Sequence, residues 1–168
     1  GKPLTGYHIF CNLFVLGVFH TSFIEGKTWS LSIELLTLAK WTAWCCLWDF
    51  LWFIFNPYYT IKNFKKGNIW WHNKSRWILN LFPADYAFGC GISLLLALTS
   101  TLLSNNWKIF NEHLTFLSGL FFFALLSIGY SPIYHYLRIK MNKKDDRENA
   151  QIFHNPKSVF FYYKFSFF

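Results

Sequence analysis

Apolar positions in this chain run together instead of alternating. From Trp29 to Asn56 lie twenty-eight residues of which only Glu34, Lys40 and Asp49 are charged. About 20 apolar residues suffice to cross a bilayer, and a soluble surface helix would show a polar face. Three further stretches follow the same pattern: Tyr7 to Ile24, Tyr86 to Ser104 and Leu114 to Leu137. Pro57 closes the second stretch, and Pro132 is expected to kink the last turns of the fourth. The pattern predicts an all-α, polytopic membrane protein with four transmembrane helices. Residues 1–140 form the transmembrane domain, with an interfacial amphipathic segment at 57–85 inside it. Residues 141–168 form a basic, aromatic tail.

The connections differ in charge. Glu25 to Thr28 is a tight, neutral turn, and Asn105 to His113 carries one Lys and one Glu. Between Pro57 and Asp85, by contrast, stand Lys62, Lys65, Lys66, Lys74 and Arg76, and the tail adds more cations. Lys and Arg resist translocation, so the basic connections mark the cytoplasmic or matrix side. Both termini are expected there, in a bacterial or organellar inner membrane, with no cleavable signal ahead of the first span. The net charge of +8 fits this sidedness. No nucleic-acid-binding motif accompanies it, so nucleic acid is not an expected partner. Aromatics at 23% and charged residues at only 14% suit a chain whose solvent is lipid. Cys11, Cys45, Cys46 and Cys90 form no CxxC pair and read as apolar filler.

The basic segment interleaves its cations with aromatic residues. Trp70, Trp71 and Trp77 suit the headgroup zone, while His72, Lys74 and Arg76 are placed to meet phosphate. Ile69 to Phe82 is therefore expected to lie in the interface. The bilayer and its anionic lipids are the expected partners, neighbouring membrane subunits the alternative, and a bound lipid the one non-protein component anticipated.

Polar residues inside the spans are the other feature. Charges at membrane depth usually face the protein interior. At about 100° per residue, Glu34, Trp41, Cys45 and Asp49 share one stripe of the second span, and Lys40 points elsewhere. The first span brings His8, Asn12 and His20. Folding the chain at Gly26 makes the two spans antiparallel neighbours. His20 then lies level with Glu34, Asn12 with Trp41, and His8 with Cys45, one turn from Asp49. Two pairs are expected, His20 with Glu34 and His8 with Asp49. They serve either to fix register or to line a proton or substrate path together with Lys40. A shared metal on His8 and His20 is ruled out by their separation, about 18 Å along a helix. A stripe of small residues, Gly89, Ser93, Ala97 and Thr101, marks a helix-packing face, with Ala124, Ser127 and Ser131 as its counterparts.

Asp49-Phe50-Leu51-Trp52-Phe53, Asn56-Pro57, Ile69-Trp70-Trp71-His72 and Asp85-Tyr86 together resemble segments of small bacterial multi-span integral membrane proteins of unknown function. That resemblance implies a membrane protein but no activity. No hydrolase, metalloprotease or phosphate-loop signature is present. The leading expectation is a non-catalytic membrane subunit or lipid-contacting scaffold. A small transporter or proton-handling protein using Glu34, Lys40 and Asp49 comes second, and a lipid-modifying enzyme third.

Overall fold

The computed structural model describes residues 6–56 and 58–141, apart from the side chains of 70, 140 and 141. The remainder of the C-terminal tail and Pro57 lie outside the described residues. The fold is all-α with one small addition. α1 (Gly6–Phe19) leads to a single turn, α2 (Thr21–Ile24), then to α3 (Leu31–Phe55), α4 (Ala84–Ser104) and α5 (Trp107–Met141). Between α3 and α4, β1 (Trp77–Ile78) pairs antiparallel with β2 (Phe82–Pro83).

Two of these helices, over Ala84–Ser104 and Trp107–Ile139, are long and apolar enough to cross a membrane. α3 is long, but Glu34, Lys40, Asp49 and four tryptophans dilute it. α1 is apolar but short, because the first stretch breaks at His20. There the His20 ring donates from Nδ1 to the Leu16 carbonyl at 2.7 Å, and Thr21 Oγ1 donates to the Val18 carbonyl at 2.9 Å. These side chains take carbonyls that a continuing helix would use.

α3 is the central helix, packing against α1, α4 and α5. Ser30 caps its start by accepting from the Ile33 amide. In the small stripe of α4, Ser93, Ala97 and Thr101 are buried and Gly89 is half-buried, but the stripe faces α3 more than the expected counterparts on α5. A Cβ added at Gly89 would overlap Cys46 Sγ. Ser93 Oγ donates to the Ala39 carbonyl at 2.8 Å. Ser32 and Ser100 exchange hydroxyl-to-carbonyl bonds at 2.8 and 2.6 Å. Ser131 and His135 of α5 both reach the Ile54 carbonyl, at 3.2 and 3.0 Å. That carbonyl lies in the last turn of α3, where no intrahelical donor remains.

The link between α4 and α5 is shorter than expected. Asn105 takes the left-handed conformation that ends α4, and Asn106 Oδ1 accepts the Lys108 amide. Asparagine tolerates both roles, so the helix restarts at Trp107 and absorbs the predicted loop up to His113. α5 continues through Pro132.

The segment before α4 packs on protein: most of it folds back on α3 as a cap. Thr60 and Asn63 bond each other around a 3-10 turn at Ile61–Asn63, and a second such turn covers Trp70–His72. Ile69 and Trp71 join Phe53 and Ile54 in one buried cluster, flanked by Trp52, Tyr59, Phe64 and Trp77. Trp52 and Trp71 meet edge to face at 4.7 Å between centroids. The physical reason is that the last turns of α3 are apolar on more than one face, and an aromatic segment tethered beside them gains as much from covering protein as from entering lipid.

Candidate functional site

Most polar chemistry in the described residues converges on Asp49, three turns along α3 from Leu38 and close to the cap. Its Oδ2 accepts from Tyr86 Oη at 2.7 Å, His72 Nε2 at 2.9 Å and Trp71 Nε1 at 3.3 Å. The donors come from the first turn of α4 and from the second 3-10 turn. The cap holds His72 in place: Trp77 Nε1 donates to the His72 carbonyl, and the Arg76 carbonyl accepts from the Ala84 amide. Beyond the ring, Nδ1 lies 3.5 Å from both Ser75 Oγ and Asp85 Oδ2. Ser75 in turn donates to Asp85. His72 is thus buried between two carboxylates, its ring only 8% exposed, while Asp85 is 60% exposed at the surface.

This changes the expected roles of several residues. Trp71 and His72, predicted at the headgroups, point into the protein and serve Asp49. Lys74 and Arg76 remain exposed, and Trp77 is half-buried. The side chain of Trp70 lies outside the described residues. Asp49, expected beside His8, draws these three donors from the cap and α4. His8 sits against Trp48, ring centroids 6.4 Å apart, about one turn further along α3 than its expected level at Cys45.

At the other end of α3 the expected pairing is present. His20 Nε2 lies 3.0 Å from Glu34 Oε1, and Trp29 Nε1 donates to Glu34 Oε2 at 3.2 Å. Both nitrogens of His20 face acceptors, so the pair holds a proton between ring and carboxylate. Asn12 lies level with Trp41, whose indole donates to the Asn12 carbonyl at 3.3 Å; Cys45 Sγ approaches Asn12 Oδ1 at 3.4 Å.

Lys40 does point away from this stripe. Its ammonium lies 5.9 Å from the Phe116 ring centroid, a cation–π arrangement. Nearby, His113 is fully buried and bonds Ser93 Oγ through Nε2 at 2.9 Å, while its Nδ1 has no partner. Because Ser93 gives its proton to Ala39, His113 is the donor in that bond.

His113, Ser75 and Tyr86 escaped sequence reasoning as polar partners. His113 lay in an assumed loop, and Ser75 stands in a connection with no repeating period. Among the described residues no three His, Cys, Asp or Glu side chains converge to hold a metal ion. No family model, no curated protein and no solved structure matches the chain.

Proposed function

We propose that this chain is a non-catalytic scaffold subunit of a bacterial or organellar inner membrane, crossing it four times with its basic end on the cytoplasmic or matrix side. One observation carries the reading: the two intramembrane carboxylates are engaged within the chain, Glu34 by His20 and Trp29, Asp49 by His72, Trp71 and Tyr86. Groups bound in this way fix helix register. The outward faces suit lipid or a neighbouring subunit, with Phe10, Phe88 and Phe121 each about two-thirds exposed or more. Sidedness is supported by geometry. α3 ends, α4 begins and α5 ends at one pole of the bundle, where Lys62, Lys65, Lys66, Lys74 and Arg76 are exposed. In this reading those cations meet anionic headgroups, each worth about 1 kcal/mol.

The test is native mass spectrometry of the chain extracted with its lipids, beside the Lys74→Ala/Arg76→Ala variant. The expected result is retained anionic lipid that falls in the variant. Equal retention in both would defeat the lipid-contact reading. Cysteine labelling at positions 27 and 66 tests the topology: position 66 should react only from the cytoplasmic or matrix side, and labelling from the other side would overturn it.

A further inference from the structure

We infer that Asp85, His72 and Asp49 form a proton path from water at the basic pole to the intramembrane carboxylate of Asp49. This goes beyond the scaffold reading and rests on its placement of α3 in the membrane. An imidazole can take a proton on one nitrogen and release the other from its opposite nitrogen. His72 is placed for that step. Nε2 donates to Asp49 Oδ2 at 2.9 Å, and Nδ1 faces Asp85 Oδ2 at 3.5 Å, a small torsional change from bonding distance.

The hydrogen-bond inventory suits a proton arriving on Nδ1. Ser75 is the other group beside Nδ1, and its hydroxyl proton is committed to Asp85. Its oxygen is therefore an acceptor for the Nδ1–H that the transfer forms. Asp85 is 60% exposed, the His72 ring 8% and Asp49 28%, so the ring is the most buried of the three and separates the exposed Asp85 from Asp49 on α3.

The step balances without an external reagent. A proton from water reaches the Asp85 carboxylate and passes to Nδ1. The Nε2–H bond breaks as Asp49 Oδ2 takes that proton, and the ring remains neutral with its hydrogen on the other nitrogen. The return transfer restores the starting state. The titratable groups facing the path are Asp49 and, one turn away, Cys46 from α3, and Asp85 and Tyr86 from α4. Trp71, Ser75 and Trp77 complete the wall from the cap. Tyr86 and Trp71 donate to Asp49 and so stabilise its charge.

Time-resolved infrared spectroscopy on the full chain in lipid nanodiscs tests this, using a light-released proton pulse. The carboxyl band of Asp49 is assigned by its loss in Asp49→Asn. The expected result is that this band follows the pulse and that Asp85→Asn and His72→Phe each slow it by about a hundredfold, the scale of losing a positioned proton carrier. Asp85→Asn keeps an oxygen for Ser75, so it separates transport from folding, and an unchanged thermal midpoint checks this. An unchanged rate in Asp85→Asn overturns the path, as does an Asp49 band that never responds to the pulse.

Discussion

At the pole where Gly26 turns the chain, α1 and α3 meet through His20, Glu34 and Trp29. At the opposite pole, Asp49 of the same helix gathers Trp71, His72 and Tyr86, which lie 22, 23 and 37 positions away. Both poles use histidine against a carboxylate, yet they are built differently. The first is a single pair with a tryptophan beside it, about a quarter exposed on each side (29% and 25%). The second is a three-donor cradle roofed by Trp52, Trp71 and Tyr59. The charge also differs. The turn pole balances Glu25 and Glu112 against Lys27 and Lys108, of which Lys108 and Glu112 approach each other, at 4.0 Å on the exposed surface; such a pair adds little. The cap pole is strongly basic. A short turn can hold two helices with one bond, whereas a long connection is held in place only when many of its groups find partners on the helix it covers.

The largest expected effect comes from breaking the cradle. Asp49→Ala leaves three donors without their acceptor, two of them on the buried rings of Trp71 and His72. It should cost about 3 kcal/mol, at the upper end for hydrogen bonds to a charged group, measured by denaturant unfolding in mixed micelles. Gly89→Ala, beside the cradle, forces a methyl into Cys46. It should cost about 2 kcal/mol as an overpacking change, and Cys46→Ala should recover much of that loss. At the turn pole Glu34→Ala should cost less, about 1 kcal/mol, because water can reach His20. A loss equal to that of Asp49→Ala would erase the contrast between the poles. Ser100→Ala removes one half of the Ser32 exchange and should cost about 0.6 kcal/mol, the average for such bonds in membranes.

The same contrast explains what the sequence reveals. His20 and Glu34 could be matched because a tight turn at Gly26 fixes the register of the residues on either side. The burial of Gly89, Ser93, Ala97 and Thr101 could be read from spacing on one helix. The partners of Asp49 could not. Tyr86 opens α4, and the other two sit in a connection with no repeating period, where Trp71 and His72 have the same composition whether they face lipid or protein. His113 was hidden for a related reason: two asparagines turn the chain so sharply that α5 starts earlier than apolarity alone suggests. The break at His20 was equally local, since it depends on which carbonyl a ring nitrogen takes.

A double-mutant cycle across Asp49 and His72 tests most directly whether the cap is clasped to α3. Asp49→Ala, His72→Ala and the double variant would be unfolded under identical conditions. Contact predicts a coupling energy of about 1.5 kcal/mol or more, within the range for residues that touch. Losses that add to within about 0.5 kcal/mol would contradict the clasp.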